Sequence, residues 1–189
     1  MKLLIARHAE DKGSEFIDDE RVLTPKGILQ ANEFGDIIKN FNPTHIYSST
    51  LQRAKQTAEI ASKKCKIKVT KLKLINEQGV TNLIENRKEL NKSKGYVSLD
   101  EINPNWESYN DIYRRSKEFY KLLMKKHKQD DCIVIVTHGR FMTFLIATIM
   151  GFEPNGFFLA NNNVAYLIIE INQNWRPMII LPTAGELYI

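Results

Sequence analysis

Two stretches place cationic side chains directly behind aliphatic runs. In LLIARHAE, Arg7 and His8 follow Leu3, Leu4 and Ile5; in CIVIVTHGR, Thr137, His138, Gly139 and Arg140 follow a second run. Arginine and histidine are costly to bury without partners, so a buried strand that ends on them delivers them to a cleft or to solvent. A third stretch, HIYSSTLQR, ends in Ser48, Ser49 and Thr50, with Arg53 close behind. One Arg-His pair at a strand end is ordinarily a surface feature. Three strand ends with the same chemistry point further. Arg7, Arg53, His8 and His138, with the free N–H groups of a helix N-terminus, would make a pocket for a phosphate-sized anion. Arginine suits that role because its planar fork engages two phosphate oxygens at once.

The elements that must hold these groups are legible in the apolar pattern. Residues 3–6 read as a short strand buried on both faces. A helix is expected from Pro25 to Asn40, capped by Thr24, with a stripe of Ile28, Ala31, Phe34, Ile37 and Ile38 facing the core. THIYSS is the next strand, LQRAKQTAEIASKK a helix entered from Ser49 and Thr50, and KIKVTKL a third strand. Residues 76–106 lack periodicity and read as an irregular excursion over one end of the sheet. A long helix from Glu107 to Lys128 leads into CIVIVTHG, the most deeply buried strand, and then RFMTFLIATIMG is an apolar helix. VAYLIIEI and RPMIILP close the chain as strands. This alternation predicts an α/β fold: a three-layer α/β/α sandwich with a mostly parallel central sheet. Residues 76–106 would form a lid over the strand ends, where ligands collect in open α/β sheets.

With 189 residues, one domain spanning 1–189 is expected. Hydrophobic content of 43% and charged content of 26% are those of a soluble globular chain. Cys65 and Cys132 lie far apart without metal-ligand spacing, which suits a reducing compartment. MKLLIA is too short for the apolar core of a signal peptide, and no apolar run reaches a membrane span. A cytoplasmic protein is the expectation. The net charge of +5 concentrates in Lys63, Lys64, Lys66, Lys68, Lys71 and Lys73. These alternate with Ile67, Val69, Leu72 and Leu74 as the wet face of an edge strand would. No aromatic residues are interleaved for base stacking, so the lysines favour anionic substrates in general over nucleic acid.

LLIARHAE, LTPKGILQA, SSTLQRAKQTAE and VTHG, in that order, resemble the motifs of the histidine phosphatase superfamily (phosphoglycerate-mutase-like, Arg-His-Gly branch). WESYNDIYRRSKEFYKLL resembles the family's helix before the second histidine, so the likeness covers nearly the whole chain. The resemblance implies a phosphatase that hydrolyses phosphomonoesters without metal or other cofactor. His8 would be the nucleophile, becoming a phosphohistidine, with the proton on its other ring nitrogen donated to a backbone carbonyl. Arg7, Arg53 and His138 would bind the phosphoryl group. Glu77 would be the general acid, with Glu85 as the rival. Asn163 resembles a residue near the family's pocket, and Glu107 and Ser108 resemble its Gly-Glu-Ser stretch, with Trp106 in place of the glycine. A small phosphorylated metabolite is the expected substrate, a phosphoprotein the alternative. Arg87, Lys88, Lys92 and Lys94 in the lid favour a substrate with a second negative charge. Two other readings stay open: a phosphoglycerate mutase-type phosphotransferase, or a non-catalytic phosphate- or phosphoprotein-binding module.

Three departures from the family pattern stand out. Ala9 replaces a glycine, while Asp11 and Ser14 fall where Thr and Asn are usual. A carboxylate facing the pocket would repel phosphate, so Asp11 is expected to point away. His45 and His127 are read as strand-edge and surface histidines.

Overall fold

The computed structural model describes residues 1–13, 21–79, 107–154, 163–172, 174 and 177–180. Along the chain run β1 (Lys2–Arg7), α1 (Pro25–Lys39), β2 (His45–Ser48), α2 (Gln52–Cys65), β3 (Val69–Lys71), a 3-10 turn (Lys73–Ile75), α3 (Tyr109–Lys126), β4 (Cys132–Thr137), α4 (Gly139–Met150), β5 (Tyr166–Ile171) and β6 (Pro177–Ile180). Six strands form one sheet in the order β3-β2-β4-β1-β5-β6. The pairs β3–β2, β2–β4 and β4–β1 are parallel; β1–β5 and β5–β6 are antiparallel. Of the predicted lid only residues 76–79 belong to the described part; Glu85, Arg87, Lys88, Lys92, Lys94 and Trp106 lie outside it, as does Ser14.

The period-2 alternation of side chains along a strand sorts the central strands between two cores. Leu3, Ile5, Ile133 and Ile135 pack with Ile112, Phe119 and Leu123 of α3 and Phe141, Phe144 and Leu145 of α4. Leu4, Ala6, Val134 and Val136 face the other way, onto Phe34 and Ile38 of α1 and Ala54, Ala58 and Ala61 of α2. The result is the expected α/β/α sandwich. Every residue of β4 is buried, as a strand with neighbours on both sides and helices on both faces must be. β3 is a three-residue edge strand, and its neighbouring lysines keep that edge wet. No described helix is long and apolar enough to cross a membrane.

α1 begins as predicted, with the Thr24 hydroxyl accepting from Gly27 N–H at 3.0 Å and Pro25 in the first turn. Its buried face differs from the predicted stripe. Gly27, Ala31, Phe34, Gly35 and Ile38 are buried, whereas Ile28 is 46% exposed and Ile37 half-buried. Close approach to neighbouring backbone chose small residues over large ones. A Cβ on Gly35 would come within 3.0 Å of the Ala61 backbone in α2, and one on Gly27 would overlap the Glu10 carbonyl oxygen.

His127 is likewise not a surface residue. It follows the last turn of α3, which lies across the sheet, so its ring drops onto Tyr47 and is only 5% exposed. Its Nε2 lies 2.8 Å from the Tyr47 hydroxyl and its Nδ1 3.1 Å from the Asp131 carboxylate. The His45 ring stands edge-on to it at 4.3 Å, at the start of β2, which is paired on both sides.

Candidate active site

Strand register brings the two histidines together. β1 and β4 are adjacent and parallel, with Arg7 opposite Thr137, so the next residue of each, His8 and His138, emerges at the same carboxyl edge. Their ring centroids are 5.1 Å apart. On the other side of β4, Ser48 pairs with Val136, which sets Ser49 beside His138 at the entry to α2. Arg53, one residue into α2, is 2% exposed and reaches back to His8. Arg7, His8, Arg53 and His138 thus converge, as the sequence predicted.

The hydrogen bonds of His8 assign its tautomer. Nδ1 lies 2.8 Å from the Ala9 carbonyl and donates to it, while Nε2 accepts from Arg53 Nε–H at 3.2 Å. Nε2 therefore carries the lone pair of the ring, and Arg53 Nε–H points at it. Ala9 is held in turn by the Thr57 hydroxyl at 3.0 Å. Burial, then the Arg53 charge, lowers the His8 pKa to about 3, with Arg7 adding to the fall and the Ala9 carbonyl and Asp11 opposing it.

His138 is fully buried, and its Nε2 lies 2.8 Å from the Ser49 hydroxyl. That hydroxyl donates to the Asn76 side-chain oxygen at 2.8 Å and accepts from Leu51 N–H at 3.1 Å. The remaining role at Ser49 is to accept from His138, which puts the proton on Nε2. The other ring nitrogen, Nδ1, is buried without a hydrogen-bond partner. Burial, then the charges of His8, Arg53, Arg7 and Arg21, holds His138 well below the ordinary histidine pKa. An arriving anion would reverse the electrostatic part of that shift.

Asp11 does not point away. Its side chain is 4% exposed, and Oδ2 lies 3.6 Å from His8 Nδ1 and 3.4 Å from Arg53 Nε. Arg21 is the reason. Lys12 N–H bonds to the Val22 carbonyl at 3.1 Å and Asp11 bridges to Leu23, so the chain doubles back and brings Arg21 onto Asp11 Oδ1, Nη2 at 2.7 Å and Nε at 3.2 Å. Burial pushes the Asp11 carboxyl up, but the Arg21 and Gly13 hydrogen bonds outweigh it and the pKa falls below the usual range.

Glu77 is half-buried at the N-terminus of α4, the helix that His138 opens. Its carboxylate accepts from Gln78 N–H at 3.0 Å and from Arg140 and Phe141 N–H at 3.3 Å each. The segment carrying it is clamped by Arg115 of α3. This guanidinium donates to the carbonyls of Leu74 (2.7 Å), Asn76 (3.0 Å) and Glu77 (3.4 Å) and pairs with Glu107 at 2.6 Å. Ser108 is the N-cap of α3, accepting from Asp111 N–H, and Glu107 precedes it, so the helix begins at Tyr109 and not at Glu107. Asn163 is half-buried just before Val164, whose N–H reaches the His8 carbonyl at 3.3 Å. The sequence reading missed Arg21, Asn76 and Arg115. Each meets its partner only in the folded chain, and no periodicity of the sequence ties the two.

The family's model, histidine phosphatase superfamily (branch 1), matches residues 3–177, and the chain belongs to that superfamily. Among curated relatives it is 26% identical over 181 residues to the mitochondrial serine/threonine-protein phosphatase PGAM5 of Xenopus tropicalis, covering 91% of this chain and 61% of the relative. The chain thus spans less than two thirds of that protein's length. Among solved structures, phosphoserine phosphatase from Entamoeba histolytica, in complex with 3-phosphoglyceric acid, superposes with a TM-score of 0.77 at 26% identity, covering 98% of this chain and 99% of that one. Mycobacterial glucosyl-3-phosphoglycerate phosphatase, solved with VO3, shares the fold at a TM-score of 0.80 and 18% identity, over 97% of this chain and 99% of that one.

Proposed function

We propose that the protein is a phosphomonoesterase that works through a phosphohistidine on His8. The observation that carries this reading is the lone pair of His8 Nε2, presented beside Arg53 while Nδ1–H is tied to the Ala9 carbonyl. In the first half-reaction Nε2 bonds to phosphorus and the ester P–O bond breaks. The leaving oxygen takes its electron pair and a proton from Glu77. In the second, water attacks phosphorus, its proton passes to Glu77, and the N–P bond breaks to release phosphate and neutral His8. Arg7, Arg53 and His138 bind the phosphoryl oxygens, and the unpartnered Nδ1 of His138 marks where one of them would sit once that nitrogen is protonated.

A small phosphorylated metabolite is the substrate class that this reading favours. The likeness to a phosphoserine phosphatase holding 3-phosphoglyceric acid supports it. The test is hydrolysis of p-nitrophenyl phosphate in excess EDTA by the wild type and by His8→Ala, followed by free phosphoserine and a phosphoserine peptide. Turnover is expected from the wild type and a loss of about a thousandfold or more in His8→Ala, with unchanged thermal unfolding. Full turnover by His8→Ala would overturn the mechanism, and preference for the peptide would overturn the substrate class.

A further inference from the structure

We propose that Asp11 is a positioning residue of this cycle: its carboxylate balances the positive charge the His8 ring acquires on phosphorylation and moderates the grip of Arg53 on phosphate. This rests on the reading of His8 as nucleophile. The carboxylate is fixed from one side only. Oδ1 receives Arg21 Nη2 and Nε, at 2.7 Å and 3.2 Å, and Gly13 N–H at 2.8 Å. Oδ2 accepts no hydrogen bond and lies between His8 Nδ1, at 3.6 Å, and Arg53 Nε, at 3.4 Å. A buried carboxylate oxygen left without a donor is costly unless nearby positive charge offsets the loss of water.

The resting His8 ring does not supply that charge, because it is neutral. The phosphorylated ring does. Nδ1 keeps the proton it shares with Ala9 while Nε2 bonds to phosphorus, so the ring carries one positive charge until water breaks the N–P bond. Asp11 therefore favours the phosphorylated ring over the resting ring, and only such a difference accelerates a step. The same negative charge subtracts from the attraction of Arg53 for free phosphate, which eases product release. Asp11 Oδ2 lies less than 4 Å from both His8 and Arg53 in a water-poor site, where charge interactions are strong.

Asp11→Asn separates charge from shape. At saturating p-nitrophenyl phosphate, the first-turnover release of nitrophenolate is expected to slow roughly tenfold. Inorganic phosphate, by contrast, should inhibit at lower concentration. Opposite signs are the diagnostic, because a merely damaged pocket would lose both rate and phosphate affinity. Asp11→Glu keeps the charge and is expected to recover part of the rate; Asp11→Thr gives a second neutral variant with the same expected signs should the Asn variant fail to fold. Wild-type values for rate and phosphate inhibition in both neutral variants, or a parallel loss of both, would overturn the role of Asp11. The His8→Ala control separates the two readings. If it turns over like the wild type, the phosphohistidine reading fails and takes this one with it; if it is inactive and the Asp11 variants are unchanged, this one fails alone.

Discussion

His8 stays neutral because burial and the Arg53 and Arg7 charges lower its pKa to about 3, with the Ala9 carbonyl and Asp11 leaning the other way. If His8 is the nucleophile, its ring stays in the form that can attack well into the acidic range. Glu77 accepts from Gln78 N–H and from two N–H groups at the start of α4, which fix the direction of its carboxylate. If its role is to protonate the leaving oxygen, Glu77→Gln should harm poor leaving groups most. On p-nitrophenyl phosphate the loss in kcat is expected to be small; on an alkyl phosphate such as phosphoserine it should reach about a hundredfold or more. The ratio of the two rates is the measurement. Equal losses on both substrates would assign Glu77 to holding α4 and leave the acid elsewhere.

The elements supply what the side chains cannot fix for themselves. Parallel pairing of β1 with β4 sets His8 beside His138, and the α2 entry sets Ser49 and Arg53 beside both. The segment that bears Asn76 and Glu77 has no strand to hold it. It is held by Arg115 of α3, which caps three of its carbonyls and pairs with Glu107. Arg115→Ala is expected to cost about 3 kcal/mol, since it leaves Glu107 and those carbonyls without their donor in a largely buried setting. Denaturant unfolding measures that loss. The same variant should lower turnover of an alkyl phosphate more than that of p-nitrophenyl phosphate, because Glu77 would lose its anchor. A stability loss with turnover unchanged on both substrates would separate the clamp from the chemistry.

For the molecule as a whole, the same burial that keeps the histidines neutral makes folding sensitive to acid. His8, His127 and His138 all have pKa values below 6.5, burial being the first cause in each. The unfolded chain therefore binds more protons than the folded one once the pH drops below about 6.5, and stability falls as pH falls. For His8 this continues down to about pH 3. Asp11, Asp111 and Asp131, with carboxyl pKa values held below the usual range, add losses of the same sign at lower pH. The melting temperature is expected to be flat above about pH 7 and to decline from pH 6.5 to pH 4. Saturating phosphate should shift the whole curve upward, because it binds the folded state alone. A melting temperature that rises on acidification would contradict the neutral assignment of the buried histidines.

The fold class, and the strand ends that carry the four central residues of the candidate site, could be read from the chain because their signals are local. An aliphatic run ending on Arg7 and His8, a Thr24-Pro25 helix start and the wholly apolar CIVIV strand state their structure within a few residues. What could not be read depends on contacts between distant segments. The stripe puts Ile28 in the core, yet it is exposed, because the close approach of α1 to the Glu10 backbone and to α2 buries Gly27 and Gly35 instead. His127 was expected at the surface and is buried, because α3 ends over Tyr47. Asp11 was expected to avoid the pocket, since like charge repels phosphate. Arg21, brought alongside by the pairing of Asp11 and Lys12 with Leu23 and Val22, which no pattern announces, holds that carboxylate in place beside His8 and Arg53. Hydrophobic periodicity fixes which face of an element is buried; only the packed molecule decides which charges end up side by side, because electrostatic partners are chosen by distance in space and not along the chain.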